Sequence, residues 1–346
     1  MFSGVAHEPD TGTPKPILMR PPYGPRRCRR RTVPRYGTAG QVAPHYSVGV
    51  PDAYSPLVRA LAELAGPGPV TVLKEDRVVV VRSGDVVAKA HEPDADPGDL
   101  GVRLATAARL GDVMLPPLRP IPERVAGRLV TLWPAGRPVD PSDLAAAPWE
   151  DAGRLLARLH AVPVDGHLPP AGGPLRLART MARLERAAGG AAGAVVRAAH
   201  AGLPAGGLCG TTGPDGTARR ALTHGDWHLG QLVWHGGRWR LIDVDDLGVG
   251  DPAWDLARPA AYYAAGLLHP EVWHRFLTAY LEGGGTAVSQ ADPWRELDVP
   301  ARALTVQLAA RGVLRAQEEG RPLDEAEEAF VACCARIVRM TGAPTT

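Results

Sequence analysis

The block HGDWHLGQ, residues 224–231, gathers two histidines, an aspartate and an amide, and Asp243 follows twelve residues after Gln231 inside LIDVDD. Between them lie two short apolar runs, LVW and RWRLIDV, on either side of the turn HGG. If those runs pair as a hairpin, Asp226, Gln231 and Asp243 meet at one end of it. A carboxylate beside an incoming hydroxyl can orient it and accept its proton, while a second carboxylate and an amide oxygen can hold a hard cation against phosphate oxygens. The pattern points to phosphoryl transfer, with Asp226 in the first role and Gln231 with Asp243 in the second. The competing reading, polar turns between strands, suffices for an isolated HGD triplet but accounts poorly for the whole block.

The elements that must position these groups follow from periodicity. YSPLVRALAEL (54–64) has helical spacing and stops at GPG. RVVVVR (77–82) and DVVAKAH (85–91), separated by Ser83 and Gly84, read as an antiparallel hairpin. DLGVRLATAARLGD (99–112) reads as a helix with Asp99 as its N-cap, and GRLVTLW (127–133) as a strand cut off at Pro134, Ala135 and Gly136. From residue 149 the pattern turns helical, with helices expected at 149–162, 174–188, 190–201, 253–266, 270–282, 296–315 and 323–340. The fold class is α+β, with strands concentrated at 68–133 and helices after them.

Composition narrows the setting. The chain has 346 residues, 45% hydrophobic and 22% charged, and a formal charge of +2 that conceals an asymmetry. Residues 1–50 hold eight basic against two acidic residues, and the remainder 31 against 35. The first 50 residues read as a loosely held basic tail, because they offer too little apolar surface to offset chain ordering. Their RRCRRR run could touch RNA or another anionic surface, but the near-neutral body argues against a nucleic-acid-coating protein. No apolar stretch is long enough for a bilayer span or a signal-peptide core, so a soluble, cytoplasmic protein is expected. Cys28, Cys209, Cys333 and Cys334 show no CxxC spacing, which argues against a disulfide framework or a thiolate zinc site. Lysine is scarce: only Lys15, Lys74 and Lys89 occur, and Lys89 sits among small apolar residues on an expected strand.

HGDWHLGQ, LIDVDD and GDPAWDLA (250–257) resemble the catalytic core of the aminoglycoside phosphotransferase and choline kinase-like superfamily. The resemblance extends over roughly residues 68–340. It implies a protein kinase-like two-lobed fold, with a small β-rich N-lobe at 51–136 and a larger, mainly helical C-lobe at 137–346. It also implies ATP and Mg²⁺ as cofactors and a small-molecule hydroxyl as acceptor. Carried onto this chain, the catalytic aspartate falls at Asp226 and the metal ligands at Gln231 and Asp243, while the nucleotide-binding lysine falls at Lys89. His224 corresponds to the structural histidine of the catalytic loop, and His228 lies within the motif. Asp255 would brace the loop from the head of a helix, and Asp246 matches a frequent acidic position. TLWPAG (131–136) resembles the hinge whose backbone meets adenine, and LLARLHAV (155–162) the first long helix of the large lobe, with His160 as a packed histidine. Asp245 reads either as a solvated turn residue or as an aid to the cation, and Trp227 as loop packing or a ligand flank.

Three departures from the family pattern stand out. Gln231 replaces the usual Asn, which moves the amide oxygen by about one methylene and resembles the HGDxHLGQ form of bacterial maltokinases. The helix GVRLATAARL lacks the glutamate that normally pairs with the lysine, and the phosphate-covering turn near VTVLKEDRV (70–78) lacks glycine. The leading expectation is ATP-dependent phosphorylation of a small hydroxylated compound. An aminoglycoside-like antibiotic is favoured by the acidic body and the stretch LDEAEEAF (323–330). The alternatives are a maltokinase-like sugar kinase, choline or homoserine as acceptor, and a degenerate nucleotide-binding regulator. Sequence does not set the acceptor or the oligomeric state.

Overall fold

The structure, a computed structural model, describes residues 54–164, 168–187, 189–204 and 219–342. The basic tail, Cys28 and Cys209 lie outside the described residues. The first described helix, α1 (Pro56–Ala65), starts with Pro at its first turn and is capped by Ser55, whose hydroxyl accepts from the Val58 N–H. It covers one face of a five-stranded antiparallel sheet of β1 (Val70–Glu75), β2 (Val79–Ser83), β3 (Val86–Ala90), β4 (Glu123–Val125) and β5 (Arg128–Pro134), in the order β1-β2-β3-β5-β4. Val58, Leu61 and Ala62 pack there on Val79, Val81, Ala88, Ala90, Val130 and Leu132.

The β2–β3 hairpin turns at Gly84 and Asp85, one residue later than the SG pair suggests, because Ser83 still pairs with Val86 and Gly84 supplies the positive φ of 55°. β1 occupies the segment read as the phosphate-covering region, so the glycine-free turn is confined to Asp76, Arg77 and Val78. Helix α2 (Pro97–Arg109) begins earlier than expected: Asp96 is the N-cap, and Asp99 is a first-turn residue whose N–H bonds the Asp96 carboxylate at 2.8 Å. Pro97 accounts for the shift, since its fixed φ and missing N–H suit the first helical position.

The remaining body is mainly helical. It comprises α3 (Trp149–His160), α4 (Gly173–Arg186), α5 (Gly190–Ala201), α6 (Ala253–Ala264), α7 (Pro270–Glu282), α8 (Trp294–Glu318) and α9 (Glu325–Thr341). Two small sheets sit between it and the five-stranded lobe: β6 (Arg137–Pro138) with β8 (Leu232–His235) and β9 (Arg238–Leu241), and β7 (Ala221–Thr223) with β10 (Gly248–Gly250). β8 and β9 form the expected hairpin, turning through Gly236 and Gly237, both at positive φ. α3 and α7 approach so closely at Gly153 that an added Cβ would lie 2.5 Å from the Phe276 carbonyl oxygen. That contact sets α7, and with it Tyr280, against the end of α3.

Candidate active site

Strand alternation places the first site group. Ala88 and Ala90 face the α1 core, so Lys89 and His91 face the helical body. Lys89 Nζ lies 2.7 Å from Asp243 Oδ1 and 2.8 Å from Asp245 Oδ2, and its side chain is only 11% exposed. Burial opposes its charge, but the two carboxylates outweigh that and push its pKa up. They are held ionised in turn: burial raises Asp245, yet Lys89 and the His91 hydrogen bond pull it well below the usual carboxylate range. His91 Nδ1 meets Asp245 Oδ1 at 2.7 Å, and His91 Nε2 meets Thr131 Oγ1 at 2.8 Å, an oxygen that also accepts from Trp133 Nε1. Asp245 is therefore paired rather than solvated, and it supplies Lys89 with a second carboxylate where α2 offers no glutamate. α2 connects to the same turn differently, through Arg103 Nε donating to the Leu247 carbonyl at 2.9 Å.

Asp243 leaves the β9 strand in the left-handed region at φ 72°, a conformation Asp tolerates better than most residues. Its Oδ1 also accepts from the Asp245 N–H at 3.0 Å, which closes the turn. Its Oδ2 receives no hydrogen bond from a described residue. Gln231 ends a short 3-10 turn (Leu229–Gln231) capped by His228, whose Nδ1 accepts from the Gly230 N–H. Burial and the nearby Arg258 guanidinium push His228 down to about 3, so it stays neutral and can serve as a cap. The Gln231 N–H bonds the His228 carbonyl, its carbonyl accepts from Ile242, and its side-chain amide has no partner among the described residues. An amide oxygen and an open carboxylate oxygen form an oxygen donor set that suits a hard cation. Among the described residues no three His, Cys, Asp or Glu side chains are grouped to hold a metal unaided. A magnesium ion here would therefore share its coordination with nucleotide phosphates, as that ion commonly does.

The HGD turn is braced from beneath. Asp255, in the first turn of α6 and 1% exposed, accepts from the His224 N–H at 2.7 Å, the Gly225 N–H at 2.9 Å and His160 Nε2 at 3.0 Å. His160 completes a chain through Nδ1 to the Tyr280 hydroxyl at 2.9 Å. His224 Nε2 donates to the Ile242 carbonyl at 2.8 Å, tying the loop to the segment that carries Asp243. Gly225 adopts φ 81°, and a Cβ there would sit 2.2 Å from the Asp246 carbonyl oxygen, so only glycine fits. Trp227 is 2% exposed and stacks on Phe276 at 5.1 Å, which makes it loop packing.

Two arginines absent from the sequence reading complete the site. Arg176 of α4 spans Asp226 Oδ2 at 2.6 Å and Asp246 Oδ2 at 2.7 Å, and Arg258 of α6 bonds Asp226 Oδ1 at 2.5 Å. Burial opposes ionisation of Asp226, but Arg258 and Arg176 prevail and hold it at about 2. At Asp246 burial and the neighbouring carboxylates win over Arg176, and its pKa rises to about 6. No motif marks either arginine, because helices distant in sequence bring them to the HGD turn. At the expected hinge, the Ala135 N–H already donates to Asp85 and its carbonyl already accepts from His235. Adenine recognition through that residue's N–H would have to displace the Asp85 bond, whereas its carbonyl keeps a second lone pair.

Residues 75–298, more than half of the chain, match the phosphotransferase enzyme family. Solved structures share the fold. A choline/ethanolamine kinase family protein from Mesorhizobium loti is 21% identical, with a TM-score of 0.51 over 83% of this chain and 94% of its own. An apo form of a thermostable mutant of aminoglycoside phosphotransferase APH(4)-Ia is 15% identical, with a TM-score of 0.54 over 81% and 98%. A ternary complex of such a mutant with AMP-PNP and hygromycin B is 13% identical, with a TM-score of 0.50 over 78% and 93%. No curated protein matches in sequence. The two-lobed architecture and the match across most of the catalytic segment lead to one assignment: the chain belongs to the phosphotransferase enzyme family.

Proposed function

We propose that this chain is an ATP-dependent O-phosphotransferase acting on a hydroxyl of a small molecule. The observation that carries the reading is the convergence of Lys89 with Asp243, beside the braced HGD turn that presents Asp226. In the proposed step the acceptor oxygen forms a bond to the γ-phosphorus of ATP. The bond from that phosphorus to the β–γ bridging oxygen breaks, and its electron pair leaves with ADP. The hydroxyl proton passes to Asp226. Lys89 neutralises the α and β phosphates. Gln231 and Asp243 would hold magnesium, which when bound supplies further neutralisation of phosphate charge. Asp255, His160 and His224 keep the loop in place and make no contact with reactants.

The test is ADP release with identification of the product by mass, over a panel of hydroxylated amines, sugars and acids. Acceptor-stimulated turnover is expected, and Asp226→Asn should lower it by about 10²–10⁴-fold while AMP-PNP binding persists. Undiminished turnover in that variant removes the base role. AMP-PNP binding with no transfer to any acceptor supports a nucleotide-binding regulator instead. An aminoglycoside-like antibiotic and a maltose-like sugar remain acceptors for the panel to compare. The fold of the hygromycin B complex supports including the first, and Gln231 supports including the second. Two of the four acids in the 323–330 stretch are already committed: the Asp324 and Glu327 carboxylates are bound to the backbone of their own helix and to Arg315 and Arg321.

A further inference from the structure

The catalytic loop is gripped by two side chains one turn apart on α6. Asp255 accepts from the His224 and Gly225 N–H groups at 2.7 and 2.9 Å. Arg258, three residues on and on the same face of the helix, holds the next two residues. Its guanidinium bonds Asp226 Oδ1, and its Nε donates to the Trp227 carbonyl at 3.2 Å. Residues 224–227 are in this way all tied to one helix. The Arg258 side chain is planar at its tip and only 11% exposed, so its fork fixes where Oδ1 lies as well as neutralising it. The other oxygen is held differently. Arg176 reaches Oδ2 from α4 at 2.6 Å, is shared with Asp246 Oδ2 at 2.7 Å, and its side chain is 31% exposed. Of the two Asp226 oxygens, Oδ2 is the one whose partner solvent reaches. A carboxylate oxygen bonded once keeps a lone pair for a hydroxyl.

We propose that Arg258 is the positioning residue of the catalytic aspartate: it anchors Oδ1 and leaves Oδ2 to receive the acceptor hydroxyl. The inference rests on the phosphotransferase reading for what Asp226 does, but not for what holds it. Phosphoryl transfer through a loose transition state asks little of a base and much of the direction of the attacking oxygen. Asp226 meets that demand. Burial opposes its ionisation, Arg258 and then Arg176 overcome this, and at about 2 the carboxyl is ionised at neutral pH yet a weak proton acceptor. Oδ2 orients the hydroxyl first and takes its proton as the oxygen–phosphorus bond forms and the bond to the ADP oxygen breaks. From the other segments packed against it, Asp226 faces Arg311 of α8, His228 of its own loop and Asp246. Arg176 bonds Asp226 whether or not Arg258 is present, so the carboxylate keeps a counter-charge without Arg258. What it loses is the buried fork that fixes its plane.

The experiment uses the full chain labelled with [γ-¹³C]aspartate, the Asp226 resonance being the one lost in Asp226→Asn. In the wild type that resonance should remain that of an ionised carboxylate from about pH 7 to about pH 4. In Arg258→Gln it should titrate at a pH about 1–3 higher than in the wild type. Transfer is read in parallel as ADP release from ATP and magnesium, with glucose, glucosamine, ethanolamine or water as acceptor. Arg258→Gln should lower kcat by about 10–100-fold and leave the KM for ATP and the affinity for AMP-PNP unchanged, although its Asp226 is the stronger base. Arg258→Lys keeps the cation without the planar fork. There Asp226 should stay ionised as in the wild type, and kcat should fall between the other two. A purely structural role for Arg258 lowers the unfolding midpoint and moves neither the resonance nor kcat, and that result overturns the proposal. Turnover of Arg258→Gln at or above the wild-type rate, or loss of AMP-PNP binding in step with kcat, overturns it as well. If Arg258→Gln does not fold, Arg258→Lys decides, and a wild-type kcat in that variant is the overturning result. A shifted Asp226 resonance with no transfer by the wild type to any of these acceptors removes the phosphotransferase reading and leaves the hold of Arg258 on Asp226 standing.

Discussion

Lys89 acts on two carboxylates at once, and this makes its contribution distinguishable from that of a surface lysine. Removing it leaves Asp243 and Asp245 close together and largely buried, without the cation that offsets their repulsion. Lys89→Met is therefore expected to lower unfolding free energy in the absence of nucleotide by about 1–3 kcal/mol. The double variant Lys89→Met/Asp245→Asn should recover part of that loss. Urea unfolding of the four proteins in a double-mutant cycle measures both; an unchanged midpoint in Lys89→Met contradicts the pairing. The same residue shows what the sequence could convey. Lys89 was visible because a strand pattern surrounds a rare residue type. Its partner Asp245 was not, since the contact joins positions 156 apart and Asp245 reads locally as a turn residue. Arg176 and Arg258 were less visible still: they reach Asp226 from 50 and 32 positions away in a chain where arginine is the ordinary cation. Asp226, Gln231 and Asp243 were legible because a short hairpin keeps them near one another in sequence as well as in space.

Most elements were legible for the same reason of locality. The spacing of α7 and the HGG turn between β8 and β9 depends on neighbours within one or two turns, whereas β6, β7 and β10 are two or three residues long and exist through pairing with distant strands. The start of α9 illustrates how an element can absorb residues that suggest another role. Asp324 accepts from the Glu327 N–H at 2.9 Å, and the Glu327 carboxylate accepts from the Asp324 N–H at 2.8 Å, forming a capping box. Glu327 also holds Arg321 and Arg315. Burial opposes its ionisation, but the Arg321 hydrogen bond, the Asp324 N–H and Arg315 win, and the carboxyl falls from 4.5 to about 2. A carboxyl with a depressed folded pKa stabilises fully above its unfolded value and loses that contribution as pH falls through the folded one. Glu327→Gln should thus cost up to about 3 kcal/mol at pH 7, and the difference from wild type should shrink between about pH 4.5 and pH 2. Denaturant midpoints across that range check it; a difference independent of pH would place the loss in packing rather than in charge.

At the scale of the whole molecule, the sheet lobe and the helical body meet along a seam that is partly backbone and partly ionic. The Leu115 N–H bonds the Leu241 carbonyl at 2.8 Å, and the Leu241 N–H bonds the Val113 carbonyl at 2.9 Å. These bonds do not involve the candidate ligands and can persist when nucleotide binds. The Lys89 pairs with Asp243 and Asp245 cross the same seam but use groups that phosphate and cation would claim. Under the proposed function, nucleotide alone competes for Lys89 and strips Asp243 of its counter-charge, whereas nucleotide with magnesium gives both a partner. AMP-PNP with magnesium should therefore stabilise the protein more than AMP-PNP with EDTA, at equal nucleotide concentration. A ligand at a hundred times its dissociation constant adds about 2.7 kcal/mol. The magnesium-dependent part of the thermal shift should vanish in Asp243→Asn and shrink in Gln231→Leu, while the shift with AMP-PNP and EDTA persists in both. Equal shifts with and without magnesium in the wild type would mean that Asp243 keeps its bond to Lys89 when nucleotide is bound. The lobes would then be held by that ion pair throughout the catalytic cycle rather than exchanging it for the nucleotide.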